Sequence, residues 1–335
     1  MKTFYTTILS IALIASPQLA AAESESCQKP RFSNVGWTDT VATTSTAMAI
    51  LSAIGYEPME INLSIPITYA SMKNGDIDIY LADWEPSMQN DRAPYVNAGD
   101  VEVLTPAAIT GAKYTIAVPK YVADAGVRDF ADIAAHADKF DRKFYGLEPG
   151  DSGGGLILDM IAKNEFGLGE FELVESSEQG MLSHVNRSVK RDQWVAFLAW
   201  EPHPMNLEYD LVYLTGGDDY FGPNFGGAEI FINVRRDYTK ECENVGVLLN
   251  NLKFSLTMMN EVMGGILEGE VEPEQVAIAW MKKNPAMVCT GKTVVGCYYG
   301  GANPSRDFPM LINLFRHNKI LLDELVEDML GGISV

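Results

Sequence analysis

The chain of 335 residues carries 45 Asp and Glu side chains against 25 Lys and Arg, which gives a formal net charge of −20 at pH 7. Negative charge on this scale is repelled by phosphate backbones and anionic lipid surfaces, so it argues against a nucleic-acid-binding protein and against one that binds the membrane surface. The length suffices for one large domain or two smaller ones.

Residues 1–22 have the composition of a secretory signal peptide. Lys2 precedes an apolar stretch at residues 8–15, and small residues at 20–22 provide a cleavage site. The apolar stretch is too short to span a bilayer, and no later segment is typical of a transmembrane helix. We therefore expect cleavage near Ala22 and an exported protein that is not itself embedded in the membrane.

The first part of the mature chain alternates helix and strand patterns. Apolar residues at helical spacing predict a helix over residues 40–54, with Gly55 as its carboxyl-terminal cap. Strands are predicted over residues 59–64 and 77–82, with a short helix ending at residue 74 between them. This βαβ order predicts an α/β fold with a largely parallel sheet.

The middle of the chain continues the alternation. Strand patterns occur at residues 111–119 and 143–147, and helix patterns at residues 127–135 and 156–164. The glycine-rich segment 148–155 lacks the Lys-Ser/Thr ending of a P-loop and the spacing of the dinucleotide fingerprint. We therefore favour a tight turn rather than a phosphate-binding site for this segment. The backbone N–H groups of the turn and the Asp151 side chain would face a cleft.

Further elements are predicted towards the carboxyl terminus. They are a helix at residues 177–188, strands at 195–199 and 211–214, and helices over much of 245–284 and at 320–330, with Trp280 as a packing residue. Asp218 and Asp219 could hold a structural calcium ion, but the full EF-hand pattern is absent and a solvated turn is favoured. No cofactor is predicted.

Strands near Tyr114 and Tyr213 are the candidates for connections between two lobes. In that arrangement, residues 23–112 and 211–335 form a discontinuous first lobe that includes a carboxyl-terminal extension. Residues 113–210 form the second lobe.

Four cysteines, an even number in an exported chain, predict two disulfides. They are Cys27, Cys242, Cys289 and Cys297. The sequence leaves three pairings open, and we favour Cys289–Cys297 as a short local loop with Cys27–Cys242 as a long-range link. The spacing is not that of a zinc site.

Three tryptophans lie where predicted strands end. Trp84 and Trp200 are each preceded by a buried strand and followed by Glu-Pro, and Trp37 lies just before the helix at 40–54. Ligands of open α/β sheets bind at such strand ends. Several tryptophan faces together form the cage that proteins use for quaternary ammonium groups, although any one of them could instead fill a core.

At these residues the chain resembles the periplasmic binding proteins of ABC importers for choline and glycine betaine. The resemblance covers roughly residues 27–286 and rests on several motifs in order: Gly36-Trp37-Thr38-Asp39, Asp83-Trp84-Glu85-Pro86, Gly111-Ala112-Lys113-Tyr114, Glu148-Pro149-Gly150, Ser176-Ser177-Glu178-Gln179-Gly180-Met181 and Trp200-Glu201-Pro202-His203-Pro204-Met205. It implies a type II two-lobed Venus-flytrap fold that closes on its ligand. It also implies a monomeric binding protein, not an enzyme, whose partner is an ABC transporter permease.

The resemblance further implies roles for individual residues. Aromatics that match Trp37, Trp84, Tyr114 and Trp200 cage the trimethylammonium group, and an acid that matches Asp39 lies beside the cation. The cysteines that match Cys27 and Cys242 are paired in similar proteins.

Three departures from the family pattern bear on the ligand. Asp151 stands where choline-binding members have an asparagine that contacts the hydroxyl end, Trp194 is an additional tryptophan, and residues after about 287 extend beyond the pattern. On a regular strand Trp194 and Trp200 would point to one face, which gives a box of four tryptophans; the alternative is that Trp194 packs at the end of the strand. Such a box suits a compact ligand and favours trimethylamine N-oxide over choline. Ionised Asp39 and Asp151 would repel the carboxylate of glycine betaine, which disfavours that ligand.

Two other function classes are consistent with parts of the sequence. An exported hydrolase could use Ser152 with His203, but the segment around Ser152 is not in the strand–elbow–helix context of a hydrolase nucleophile. A binding protein that reports to an osmosensor or chemoreceptor would use the same fold, and the sequence leaves it open.

Overall fold

A mixed β-sheet of nine strands runs through residues 23–284, the part of the chain that the computed structural model describes. The strands are β1 Arg31–Asn34, β2 Met59–Asn62, β3 Ile79–Glu85, β4 Val101–Pro119, β5 Lys143–Gly146, β6 Glu172–Glu175, β7 Phe197–Glu201, β8 Leu211–Tyr213 and β9 Gly227–Arg235. The helices are α1 Thr38–Ala53, α2 Ile65–Asn74, α3 Gln89–Asn97, α4 Lys120–Asp124, α5 Phe130–Ile133, α6 Ser152–Ala162, α7 Glu178–Val189, α8 Met205–Glu208, α9 Asp218–Phe221, α10 Pro223–Gly226, α11 Tyr238–Glu241, α12 Glu243–Asn251, α13 Leu256–Glu268 and α14 Pro273–Lys283.

The long strand β4 joins two halves of this sheet. Its amino-terminal part, from Val101 to Lys113, pairs with β9, and its carboxyl-terminal part, from Lys113 to Pro119, pairs with β7 and β8. The strand order is β2-β1-β3-β9-β4-β7-β5-β6. We call β1, β2, β3, β9 and the helices beside them the first half, and β5 to β8 with their helices the second half.

The pairing differs from the predicted, largely parallel sheet. The outer strands of each half are parallel, as the βαβ pattern indicated, but β4 and β9 make only antiparallel pairs within the described chain. The reason is that β4 runs from the first half into the second, and β9 runs alongside its first part in the opposite direction. The lobe boundaries at 112/113 and 210/211 stay predictions; on β4, the residues that pair with β8 follow those that pair with β7, and Ala117 pairs with both strands.

Two other predicted elements need correction. The strand predicted over residues 111–119 begins ten residues earlier, at Val101, and is bent by irregular pairing around Ile109. The glycine-rich segment is a tight turn only in its first part, where Asp151 N donates to Glu148 O and Gly150 has a φ of 92°. Its second part is helical, because α6 begins at Ser152 and includes Gly153, Gly154 and Gly155.

Helix α1 is buried although much of its surface is polar. It packs against β1 and β3 on one side and against α13 and α14 on the other. Two of its five threonines satisfy their hydroxyls within the helix: Thr43 donates to the carbonyls of Asp39 and Thr40, and Thr46 donates to that of Ala42. Bonds of this kind lower the cost of placing a polar helix in a core, although the buried hydroxyls of Thr40 and Thr44 have no partner among residues 23–284.

The structure contains the favoured disulfide between Cys27 and Cys242, which joins the segment before β1 to the start of α12. The favoured Cys289–Cys297 pair, the signal peptide and the helix predicted at 320–330 lie outside the described residues.

Within residues 23–284, no helix has the length and apolarity to cross a bilayer. No cluster of three or more His, Cys, Asp or Glu side chains in this range could hold a metal ion, and the calcium expectation for Asp218 and Asp219 stays a prediction.

Candidate functional site

Five of the seven predicted ligand-binding residues line one pocket between the two halves. The pocket is walled by Trp37, Asp39, Trp84, Met88, Tyr114, Leu147 and Trp200. The ring centroids of Trp84 and Tyr114 are 5.9 Å apart with the planes at 54°, and those of Tyr114 and Trp200 are 6.4 Å apart at 76°. Rings inclined in this way present faces from several directions, which is the geometry of an aromatic cage.

Strand and helix ends position these rings. Trp37 is the residue before α1, and Trp84 and Trp200 lie next to the last residues of β3 and β7. Tyr114 and Trp200 are opposite each other across the antiparallel β4–β7 pair, so both side chains point to the same face of the sheet. The rigid sheet therefore holds the second half's tryptophan against the tyrosine at the crossover.

Asp39 supplies the negative charge of the pocket. Its Oδ2 atom accepts a hydrogen bond of 3.1 Å from Trp84 Nε1, whereas Oδ1 is buried with no partner among residues 23–284. Burial, and next the nearby charge of Glu178, raises the pKa of Asp39 from 3.8 to about 7. An orphaned, buried carboxylate oxygen is costly unless a ligand satisfies it, so Oδ1 marks where a cation or a donor fits.

Asp151 stands behind Tyr114 rather than on the pocket wall. It caps α6 by accepting a hydrogen bond of 2.7 Å from Gly154 N, and it accepts another, of 2.9 Å, from the Tyr114 hydroxyl. Burial raises the pKa of Asp151 to about 7. Its direct partners are thus the cage tyrosine and the backbone of α6.

Trp194 is not brought to the cage. It packs against His136 and Phe140, with ring centroids 5.3 Å away in each case, and Lys139 Nζ lies 4.2 Å from its ring centroid. The expectation that it shares a strand face with Trp200 is wrong because β7 begins only at Phe197, so strand parity does not extend to residue 194.

Two acids that sequence reasoning did not assign to the site tie the halves together beside the cage. Glu148, which follows β5, accepts a hydrogen bond of 2.8 Å from Trp37 Nε1. Glu178, the first residue of α7, accepts one of 2.8 Å from Thr38 N. Both lie in motifs that carried the resemblance, but their partners are more than 100 residues away and only the fold reveals them.

The residues of the hydrolase alternative have separate partners. Ser152 Oγ donates to Asp91 Oδ2 at 2.7 Å, and His203 Nε2 lies 3.1 Å from Glu178 Oε1. The structure therefore assigns the histidine to a glutamate and the serine to an aspartate.

Comparison with known proteins places this geometry in a family. Residues 31–283 match the family model of the substrate-binding domain of the ABC-type glycine betaine transport system. The glycine betaine/carnitine transport binding protein of Listeria monocytogenes serotype 1/2a is 28% identical over 141 residues, which cover 41% of this chain and 46% of that protein.

Solved structures of similar proteins agree. An ABC-transporter choline-binding protein in complex with choline is 52% identical, with a TM-score of 0.78 over 81% of this chain and 95% of that chain. Lactococcal OpuAC in its closed-liganded conformation with glycine betaine has a TM-score of 0.70 at 23% identity, over 79% of this chain and 99% of its own. These matches confirm the predicted two-lobed α/β binding-protein fold.

Proposed function

This chain belongs to the family of substrate-binding domains of ABC-type glycine betaine transport systems, and we propose that the ligand it captures is a small trimethylammonium compound held in the aromatic cage. Members of this family are extracellular or periplasmic binding components of transporters, which agrees with the prediction of a binding protein rather than an enzyme. We further propose that the protein acts as a periplasmic monomer, with its leader removed near Ala22, and that it delivers its ligand to an ABC permease.

The observation that carries this proposal is the unpaired Asp39 Oδ1 within a wall of aromatic rings. A trimethylammonium head group has no N–H to donate, so it gains from ring faces and from nearby negative charge rather than from hydrogen bonds. Each desolvated cation–π contact of this kind contributes about 2 kcal/mol. A cation beside Asp39 also offsets the cost of burying that carboxylate.

Choline is the ligand that these observations favour. One feature that pointed to trimethylamine N-oxide, a fourth tryptophan in the box, is removed by the position of Trp194, and the carboxyl-terminal extension lies outside the described residues. What remains is Asp151 in place of asparagine. Like asparagine, its side chain offers an oxygen to Tyr114, and it can serve a hydroxyl-bearing ligand through that tyrosine.

Trimethylamine N-oxide is the second candidate because of the raised pKa values. Asp39 and Asp151, each with a pKa of about 7, are partly protonated near neutral pH. A protonated carboxyl donates a hydrogen bond, which the oxygen of an N-oxide requires and a permanent cation does not.

The pH dependence of affinity separates the two candidates. As pH rises through about 7, Asp39 ionises, so choline should bind at least about tenfold more tightly at pH 9 than at pH 5. Trimethylamine N-oxide should bind more weakly over the same rise, because the donating proton is lost. Calorimetric titration with choline, trimethylamine N-oxide and glycine betaine across this range measures all three.

Asp39→Asn provides the control, since it keeps an acceptor for Trp84 and removes the titrating charge. We expect weaker choline binding in this variant and a flattened pH profile. Absence of measurable binding of all three ligands to the wild-type protein would contradict the proposed function. Tightest binding of trimethylamine N-oxide, with affinity falling as pH rises, would replace choline with the second candidate.

A further inference from the structure

The amino terminus of α1 is capped by a residue from the opposite half of the sheet. Within the described chain, Trp37, the residue before α1, makes no side-chain capping bond, because an indole has no acceptor for backbone N–H groups. Glu178 takes that role instead: Oε2 accepts from Thr38 N at 2.8 Å, and Oε1 accepts from the Thr38 hydroxyl. Both residues are almost fully buried.

The same carboxylate is also held from within its own half. Met205 N–H donates to His203 Nδ1 at 3.0 Å, so that nitrogen carries the lone pair and Nε2 carries the proton. Nε2 then donates to Glu178 Oε1 at 3.1 Å. The ring of His203 packs edge-on against Trp200, with centroids 4.9 Å apart.

This series of hydrogen bonds links the two sides of the cage. Thr38 lies between Trp37 and Asp39 in the first half, whereas Glu178 and His203 belong to the second half with Trp200. Because Glu178 is anchored to His203 inside its own half, the contact with Thr38 exists only when the halves are closed. Its carboxylate also lies at the positive end of the α1 dipole, which strengthens the contact.

We propose that Glu178 is a positioning residue that latches the closed form by capping α1 across the cleft, and that Thr38 is the residue to which it binds. The proposal rests on the proposed function in so far as closure retains the ligand. Engagement of Thr38 fixes the start of α1, and with it the orientations of Trp37 and Asp39 around the bound head group. Other bonds across the cleft, from Trp37 to Glu148 and from Ser152 to Asp91, persist without the latch, so its loss weakens closure without abolishing it.

Thr38→Val tests the latch, because valine keeps the shape of the side chain and removes the hydroxyl donor. In stopped-flow measurements with choline we expect an unchanged association rate and a dissociation rate that rises about tenfold, the value of one hydrogen bond to a charged group. The melting temperature without ligand should change far less than the dissociation rate does, because the other bonds across the cleft remain, and Thr38→Ser should restore slow dissociation.

Thr43→Val is the matched control, since Thr43 is buried in the same helix and bonds only to carbonyls of that helix within the described chain. Its dissociation rate should equal that of the wild type. Equal dissociation rates for Thr38→Val, Thr43→Val and the wild type would overturn the latch while leaving the proposed function intact.

Glu178→Gln gives a second readout that a purely structural role would not move. The charge of Glu178 contributes to the raised pKa of Asp39, so its removal should shift the midpoint of the choline pH profile to lower pH. An unchanged midpoint would contradict a carboxylate of Glu178 placed beside the cage.

Small-angle scattering tests the latch without any ligand. The radius of gyration of unliganded Thr38→Val should exceed that of the unliganded wild type, because fewer molecules are closed. Equal radii would count against the latch even if the wild type bound none of the three ligands, an outcome that would end the proposed function separately.

Discussion

Trp200 and Trp194 are six residues apart in the chain, yet only Trp200 reaches the cage. Trp200 lies inside β7 opposite Tyr114, where the strand fixes which face its ring takes. Trp194 precedes the strand and packs with Phe140 and His136 on the second half. The same side chain thus serves two purposes in one segment: Trp200 walls the cage, and Trp194 packs within the second half.

Trp200→Ala should weaken choline binding by about 2 kcal/mol or more, roughly a 30-fold rise in Kd, because one ring face of the cage is lost. Trp194→Ala should lower the melting temperature and leave the Kd within about twofold of wild type. Calorimetric titration and thermal unfolding of both variants measure these effects. A similar loss of affinity in the two would place Trp194 at the ligand and contradict the structure.

Asp151 shows what a single position can and cannot reveal. Its type and its place in a predicted turn between a strand and a helix indicated a residue that faces the cleft. The structure instead directs its oxygens to Gly154 N and to the hydroxyl of Tyr114, a residue 37 positions earlier in the chain. Sequence spacing contains no information on that contact, because β4 and α6 meet only in the folded protein.

At the scale of elements, the first turn of α6 explains why one of its glycines, Gly153, is needed. A Cβ atom on Gly153 would lie 2.2 Å from the Tyr114 hydroxyl, whereas a Cβ on Gly155 would meet no described atom within 4 Å. The helix therefore approaches the cage tyrosine through a surface without side chains. Three glycines usually oppose a helix, and this cost is what made the segment resemble a turn.

Gly153→Ala should displace Tyr114 and raise the Kd for choline at least about tenfold, since the tyrosine face and its bond to Asp151 are both disturbed. Gly155→Ala is the matched variant in the same turn. It should leave the Kd unchanged and stabilise the protein by about 0.5–1 kcal/mol, because alanine favours the helix. Chemical denaturation and calorimetric titration of the pair test this. Equal affinities would show that the close approach to Tyr114 is unimportant.

At the scale of the whole molecule, one covalent link joins distant parts of the first half. Cys27 and Cys242 are 215 residues apart in sequence, and both side chains are buried. A cross-link across so long a loop restricts the unfolded chain strongly. It lies outside the residues that wall the cage.

Replacement of both cysteines by serine should therefore reduce the free energy of unfolding by about 2–5 kcal/mol and leave the affinity for choline within about twofold. Denaturant unfolding, with Cys289 and Cys297 left intact, measures the first quantity and titration the second. A loss of affinity as large as that of Trp200→Ala would show that the link also shapes the cage.

The sequence by itself determined the α/β class, the strand-end positions of Trp37, Trp84 and Trp200, and the kind of ligand that such residues attract. These features are local, because buried strands, the prolines that end them and helix-start residues are all encoded within a few positions. The family resemblance added Tyr114 and Asp39.

Only the tertiary structure decided which side chains meet. It removed Trp194 from the cage, extended α6 into the glycine-rich segment, and brought Glu178 to Thr38 across 140 residues of sequence. Contacts of this kind depend on how β4 joins the two halves. The sequence pattern of one segment shows where that segment ends and which of its faces is apolar. Which other segment packs against that face depends on contacts between parts of the chain that are far apart in sequence.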